Sequence, residues 1–134
     1  MTTTKTTTDQ RFERATASVF VTDFGRALEF YRDTLGFDVA YTYGEPPFWG
    51  ELRRDGALLN VRHVDSSPWV DGVREAEQLL SAYVFIGDAK ALFLEYQAAG
   101  VDFQERLQRR PWEMNEFVVR DPDGNLLLFG SPAT

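Results

Sequence analysis

The sequence predicts an α+β fold built from two tandem β-α-β-β-β modules. One observation is an internal repeat, since Val84-Phe85-Ile86-Gly87-Asp88 matches Val19-Phe20-Val21-Thr22-Asp23, 65 residues earlier. Another is the stretch from Pro111 to Phe129, where two apolar runs flank Asp-Pro-Asp-Gly. Proline presets one turn dihedral and glycine accepts a positive φ, so this stretch predicts a tight hairpin.

The first module is predicted over residues 15–64. Residues 15–22 alternate in character, which indicates a strand with two distinct faces. A helix follows, because Asp23 suits an N-cap, apolar residues recur at helical spacing, and Gly36 suits the C-terminal cap. Asp55-Gly56 is a hairpin signal. Three further strands are predicted at residues 37–43, 48–53 and 57–64.

The second module is predicted over residues 78–130, because the pattern recurs there in the same order. Tyr96 follows Asp88 by eight residues, as Tyr31 follows Asp23. The Gly-Val-Asp-Phe segment that begins at Gly100 likewise echoes Gly-Phe-Asp-Val in the first module. Matches that keep their order over the whole chain indicate an internal duplication.

Two segments are predicted to lie outside the modules, which together form one domain. Residues 1–14 are rich in threonine and predict a disordered tail. Residues 65–77 are polar and irregular, which predicts a linker. Trp69 in this linker is interpreted as an aromatic that pins the loop to the core.

Composition excludes several kinds of site and partner. The chain of 134 residues has no Cys and a single His, His63, so disulfides, zinc-thiolate sites and His clusters are excluded. The net charge of −7 argues against nucleic-acid binding, which favours a basic surface. No apolar run is long enough for a membrane span, and the N-terminus lacks the apolar core of a secretion signal. We therefore expect a cytoplasmic protein without nucleic-acid or membrane partners.

The hairpin and the repeat together carry a family resemblance. The hairpin reads Trp112-x-Met114-x-Glu116-Phe-Val-Val-Arg-Asp-Pro-Asp-Gly-Asn. It resembles the C-terminal hairpin of bleomycin-resistance proteins, a branch of the vicinal-oxygen-chelate superfamily with glyoxalase I and extradiol dioxygenases. The resemblance covers residues 15 to 130. It implies mixed sheets that curl into a cup, with the helices outside.

Strand alternation then predicts which side chains point into this cup. The β-branched residues should pack on the helices: Val19, Val21, Val84 and Ile86. The alternate positions should face the cup: Thr16, Ser18, Phe20, Ser81, Tyr83 and Phe85.

Glyoxalase-type members bind a divalent metal through the first and last strand of each module. The matching positions here are Thr16, Asn60, Ser81 or Ala82, and Leu128. None of them is an ionisable ligand, and a leucine cannot coordinate a metal. His63 lies three residues after Asn60 and points to the opposite face. The sequence therefore predicts neither a metal site nor another cofactor.

Metal-free members of this branch bind a flat ligand between two aromatic rings in the groove of a homodimer. The matching positions are Phe48 and Trp112, and the resemblance implies sequestration of a flat aromatic, antibiotic-like molecule. Stacking between two rings adds about 0.5–1.5 kcal/mol to burial. The predicted ligand-binding residues are Phe48, Trp112, Phe20, Tyr83, Phe85, Asn60, Met114 and Glu116. For a positively charged ligand tail, the sequence leaves four carboxylates open: Glu51, Asp71, Glu113 and Glu116.

Two departures from the family pattern widen the ligand class. The family has Gly and Arg where this chain has Glu113 and Asn115. Arg109 and Arg110, just before the Trp, favour an anionic or neutral ligand.

The alternative to a binding protein is an enzyme of the superfamily. A metal-free enzyme would use an acid–base pair from Glu116, Tyr83 or Asp71, and a metal-dependent one would need unusual ligands such as Glu116 and Asp121.

Overall fold

The computed structural model describes residues 8–69 and 72–133. Over these ranges the chain forms two four-stranded mixed sheets with helices. The strands are β1 (Ala17–Val21), β2 (Asp38–Tyr43), β3 (Trp49–Arg54), β4 (Ala57–His63), β5 (Ala82–Phe85), β6 (Asp102–Arg109), β7 (Met114–Arg120) and β8 (Leu126–Pro132). The helices are α1 (Phe24–Glu29), which continues as a π-helical turn (Phe30–Thr34), α2 (Val73–Glu77) and α3 (Ala89–Ala98). Within the described ranges, none of these helices is both long and apolar enough to cross a membrane.

The two sheets have the same topology, which confirms the predicted α+β fold of tandem modules. Strand order is β1-β4-β3-β2 in the first sheet and β5-β8-β7-β6 in the second. In each sheet the first strand runs parallel to the last, and the remaining pairs are antiparallel. Each parallel pair needs a crossover, and the predicted helix of each module begins it.

The helix caps lie where the sequence placed them. The Asp23 carboxylate accepts the backbone N–H of Arg26 at 3.1 Å, and the Asp88 carboxylate accepts that of Ala91 at 3.1 Å. Each bond satisfies one of the donors that a helix N-terminus leaves unpaired. Gly36 follows the π-helical turn with φ of 81°, a conformation that a side chain would oppose.

One face of each sheet is covered by α1 or α3, and we call the opposite face the open face; in the second sheet, α2 touches this face where Glu75 pairs with Arg120. Val19 and Val21 are fully buried in the core, whereas Ser18 before them is exposed and Phe20 between them is half-buried. In β5, Val84 packs on the core and Phe85 is 73% exposed. The helix-covered faces of both modules join one continuous core, so the open faces lie on the outside of the chain.

The β7–β8 turn joins the two modules. Asp121 is 2% exposed and accepts hydrogen bonds from the Tyr31 hydroxyl at 2.7 Å and the Asn125 amide at 2.8 Å. It also accepts the backbone N–H groups of Asp123 and Asn125. The Asn125 amide in turn donates to the carbonyl of Phe20 at 2.9 Å, on the free edge of β1. The motif that predicted a hairpin is therefore also a contact between modules.

The segment predicted to be an irregular linker contains α2, which corrects that expectation. Arg74 of α2 is buried, donates to the Gly124 carbonyl and the Ser81 hydroxyl at 2.8 Å each, and stacks 3.7 Å above the Trp69 ring. Trp69 meets Phe20 edge-on, so it does pin this segment to the modules. The helix has five residues and no side-chain N-cap, so its sequence carries little helical signal. Asp71 and the first seven residues of the predicted tail lie outside the described ranges.

Candidate functional site

A buried carboxylate organises the open face of the second sheet. Glu116 of β7 is 1% exposed. Its Oε2 atom accepts the Tyr83 hydroxyl at 2.5 Å and the Trp112 indole N–H at 3.1 Å, and its Oε1 atom accepts the Arg110 Nε–H at 3.1 Å. Arg110 is also paired with Glu105. A buried charge needs such partners, because an unpaired one costs far more than it contributes.

These hydrogen bonds move the pKa values of the acid and the phenol apart. Burial raises the pKa of Glu116, but the bonds from Tyr83, Trp112 and Arg110 outweigh burial and bring that pKa below its ordinary value. Burial, together with the nearby Glu116 carboxylate, raises the pKa of Tyr83 to about 12. At neutral pH the carboxylate is therefore charged and the phenol is neutral.

Three aromatic rings lie beside this carboxylate, and we call Tyr83, Phe85 and Trp112 the aromatic platform. Tyr83 and Phe85 stack with ring centroids 4.6 Å apart and an interplanar angle of 30°. Trp112 is 61% exposed although its N–H is anchored on Glu116. An exposed ring with a fixed edge presents an apolar face to solvent at little entropic cost.

A glycine beneath the platform, Gly130, leaves room for the Tyr83 side chain. A Cβ atom on Gly130 of β8 would lie 2.9 Å from the Tyr83 hydroxyl and 3.2 Å from Cγ of Glu116. Any side chain at this position would therefore push Tyr83 away from Glu116. Met114 lies half-buried on the same face, two residues before Glu116 in β7.

The open face of the first sheet combines aromatic residues with a second buried carboxylate. Glu51 of β3 lies between Tyr41 and Asn60 on the neighbouring strands. Trp49, two residues earlier, is half-buried and has its ring 5.4 Å from that of Tyr41. Phe20 of β1 lies further along the same face and is half-buried.

Phe48 occupies a different place from the other predicted ligand residues. Strand alternation puts Trp49 and Glu51 on the open face, whereas Phe48 precedes β3. Phe48 packs edge-on against Tyr43 at 5.7 Å, at the end of the β2–β3 hairpin.

The structure thus brings together one part of the predicted site. Tyr83, Phe85, Met114, Trp112 and Glu116 share one open face. Phe20 and Asn60 lie on the open face of the other sheet, and Phe48 lies at its edge. Sequence reasoning gave Trp49 no role, although its alternation with Glu51 was a signal that could have identified it. It placed Arg110 beside the site but did not foresee its hydrogen bond to Glu116.

The positions that bind metal in glyoxalase-type relatives do not fit a metal in this chain. Leu128 is buried in a small apolar cluster with Val118 and Leu126. Asn60 and Thr16 carry no ionisable group. His63 lies three residues after Asn60 in β4, so its side chain points to the opposite face of the sheet. In the part of the chain that the structure describes, no three His, Asp or Glu side chains converge on a common point.

A cleft of about 1000 Å³ adjoins the platform between the two modules. It is lined by the start of β1, the β3–β4 turn, strand β5 and the first turns of α3. Tyr83 and Phe85 belong to this lining as well as to the open face. Its volume lies at the upper end of the range found for small-molecule binding sites.

We expect the charge of Glu116 to stabilise the fold only above acidic pH. Its pKa is lowered in the folded state, so the stabilisation is complete above the unfolded value of about 4.3 and is lost as the pH falls through the folded value. Urea unfolding of the wild type and Glu116→Gln at pH 7 and pH 3 measures this. The wild type should be more stable than Glu116→Gln at pH 7, and this difference in unfolding free energy should shrink at pH 3. A difference of the same size at both pH values would contradict the stabilising role of the Glu116 charge.

Comparison with known proteins supports the resemblance drawn from the hairpin and the repeat. Residues 12–129 match the family model described as Glyoxalase/Bleomycin resistance protein/Dioxygenase superfamily. None of the curated proteins matches the sequence.

Several solved structures share the fold. TioX from Micromonospora sp. ML1 is 22% identical with a TM-score of 0.72, over 90% of this chain and 99% of that one. The bleomycin-binding protein of bleomycin-producing Streptomyces verticillus, solved with copper(II)-bleomycin, is 22% identical with a TM-score of 0.67, over 90% and 96%. The bleomycin resistance determinant encoded on transposon Tn5 is 17% identical with a TM-score of 0.71, over 92% and 100%.

Proposed function

Because this chain belongs to the glyoxalase/bleomycin resistance protein/dioxygenase superfamily, we propose that it binds and sequesters a flat aromatic, antibiotic-like small molecule without a metal. The binding takes place in a groove of a homodimer in the cytoplasm. Two of its structural neighbours are described as a bleomycin-binding protein and a bleomycin resistance determinant. Their likeness to this chain concerns the fold alone.

The observation that carries the proposal is the aromatic platform with its anchored tryptophan. Exposed aromatic rings cost free energy in water unless a ligand or partner covers them. Here the buried Glu116 fixes the edge of Trp112 while leaving 61% of that residue exposed. A flat ligand that lies on Trp112 buries apolar surface and gains offset stacking.

The way the two modules are packed supports a homodimer. In one chain the open faces lie on the outside, so Trp112 of the second sheet and Trp49 of the first cannot enclose the same ligand. Two chains can place the open face of one first sheet opposite that of the partner's second sheet. The groove then has an aromatic wall on each side.

We therefore expect the full-length protein to sediment at twice the 15.3 kDa mass of the chain at micromolar concentration. Burial of the exposed aromatics Tyr43 and Phe85 supplies the driving force. Phe85→Ser should weaken association, because it removes the most exposed ring of the platform. Leu94→Ser, an equally apolar change on the exposed side of α3, is the matched control. A wild type that sediments as a monomer would refute the shared groove.

The catalytic alternative finds less support in the site. The Tyr83–Glu116 pair on the open face is the arrangement closest to an acid–base pair. Its pKa values are displaced away from neutrality, upward for the phenol and downward for the carboxylate. General acid–base catalysis works best with pKa values near the working pH, so this pair is better suited to holding Trp112 than to transferring protons.

A ligand screen tests the proposed function. Bleomycin and planar aromatic compounds of negative, neutral and positive charge are added to the wild type, and the melting temperature is measured. A binding protein should be stabilised by at least one class, since a ligand at a hundred times its Kd adds about 2.7 kcal/mol. Chromatography of each stabilising compound after incubation should return it unchanged. Conversion to a product would favour an enzyme.

A further inference from the structure

Glu51 is a buried carboxylate with hydrogen-bonding capacity to spare. It is 5% exposed and lies on the open face of the first sheet. In the part of the chain that the structure describes, its Oε1 atom is buried and accepts no hydrogen bond. A buried acceptor without a donor destabilises a fold. Stability therefore does not explain why a carboxylate occupies position 51.

The cations near Glu51 do not satisfy this atom. Nη2 of Arg53 lies 3.5 Å from Oε1 and Nη2 of Arg14 lies 3.7 Å away, and neither forms a hydrogen bond to it. Both arginine side chains are more than half exposed and can move aside. They offset the charge of Glu51 in part while leaving its oxygen free for a donor.

The other buried carboxylate shows which donors such a group takes. Glu116 accepts a phenol hydroxyl, an indole N–H and a guanidinium N–H from the chain itself, so both of its oxygens have donors. Glu113 is exposed and paired with Arg109. Of the described carboxylates considered for ligand contact, Glu51 alone is both buried and free to accept a hydrogen bond.

The surroundings of Glu51 set the class of the donor. Arg14 and Arg53 lie beside it, and Arg62 faces the same side, opposite Trp49. Three guanidinium groups repel a further cation, whereas a neutral N–H or O–H meets no such penalty. The rings of Tyr41 and Trp49 flank the carboxylate and offer an aromatic ligand surface to stack on.

We infer that Glu51 is a binding site for a neutral N–H or O–H group carried on an aromatic ring, and that it selects ligands which have such a group. The inference deepens the proposed function and rests on it, since it assumes an aromatic ligand. The ring lies against Trp49 and Tyr41, and its donor points to Oε1 of Glu51.

Four naphthalene probes with one ring system test this inference by calorimetric titration at pH 7. They are 2-naphthol, 2-methoxynaphthalene, 2-naphthoate and the 2-naphthylmethylammonium ion. We expect wild type to bind 2-naphthol about 10- to 100-fold more tightly than the methyl ether, as for a charge-assisted hydrogen bond. The ammonium probe should bind more weakly than 2-naphthol because of the three arginines.

The variants at position 51 assign the effect. Glu51→Gln keeps a neutral acceptor, so the preference for 2-naphthol should fall to a few-fold, and Glu51→Leu should abolish it. Glu29→Gln, which changes an exposed glutamate of α1 in the same way, should leave the preference unchanged. Both Glu51 variants should melt at or above the wild-type temperature, because each removes an unsatisfied buried charge.

The outcomes separate this inference from the proposed function. Probes that bind with the same preference in wild type and Glu51→Leu would overturn the role of Glu51 and leave aromatic binding intact. If the ammonium probe binds more tightly than 2-naphthol, the inference that the donor is neutral is overturned. Failure of all four probes to bind would overturn both. If Glu51→Leu does not fold, the preference of Glu51→Gln for 2-naphthol decides the role of Glu51. Nuclear Overhauser spectra of the wild type should also show contacts between 2-naphthol and the Trp49 indole, and their absence would overturn the inference.

Discussion

Trp112→Ala should retain a nearly normal melting temperature and lose most of its affinity for a flat aromatic ligand. The side chain is 61% exposed, so its removal costs stability mainly through one hydrogen bond to Glu116, about 1 kcal/mol. A buried Trp would cost about 3–5 kcal/mol. A central aromatic contact contributes about 2 kcal/mol or more to binding, so affinity should fall by roughly 30-fold or more. Thermal melting and titration of the screened ligand measure the two effects.

Two further variants define what Trp112 contributes. Trp112→Phe keeps a ring but cannot donate to Glu116, so its affinity should fall between those of the wild type and Trp112→Ala. Leu94→Ala removes a half-exposed apolar side chain from α3 and should change neither property. A collapse in melting temperature with unchanged affinity in the folded protein would show that Trp112 is a structural residue and that the proposed site is misplaced.

The ring opposite Trp112 is identified by double-mutant cycles. The sequence points to Phe48, whereas the structure puts Trp49 on the open face of the first sheet. Each is changed to Ala, alone and with Trp112→Ala, and ligand affinity is measured. The residue that grips the same ligand as Trp112 should show non-additive losses, because the first mutation already removes part of the sandwich. Additive losses at both positions would refute a two-ring sandwich.

Asp121→Ala should destabilise the protein more than any other single change in the β7–β8 turn. The substitution leaves the Tyr31 hydroxyl, the Asn125 amide and two backbone N–H groups without their acceptor in a buried place. We expect a loss of roughly 3–4 kcal/mol, which corresponds to about 10–15 °C in melting temperature for a domain of this size. Urea unfolding at pH 7 measures it.

Asp123→Ala is the matched control in the same turn. Its carboxylate accepts from the backbone N–H and hydroxyl of Thr22 at 3.0 and 2.7 Å, in an exposed position, so we expect a loss of about 1 kcal/mol. Tyr31→Phe removes one donor to Asp121 and should have a small effect that is not additive with Asp121→Ala. Equal losses for Asp121→Ala and Asp123→Ala would show that the buried bonds of Asp121 contribute no more to stability than the bonds of Asp123 to Thr22.

The sequence by itself determined the family and every strand and helix of the two modules, but not α2. Alternation in β1 and β5, aspartate caps at 23 and 88, and a repeat that keeps its order are local signals, and each is set by backbone geometry within a few residues. The same reasoning found most of the aromatic platform, since Tyr83 and Phe85 share a parity and the hairpin motif contains Trp112. It also found that the family's metal positions carry no ionisable ligand in this chain, and that one of them is Leu128.

Only the tertiary structure decided how the carboxylates are used. Glu51 and Glu116 are both glutamates on third strands of their modules, and nothing local distinguishes them. Their difference depends on donors from other strands and turns, since Tyr83, Arg110 and Trp112 converge on Glu116 while Oε1 of Glu51 accepts no bond among the described residues. Asp121 likewise has a second role that its turn motif does not reveal, because its partner Tyr31 lies 90 residues away. Hydrogen bonds over such separations follow from packing, which no local pattern encodes.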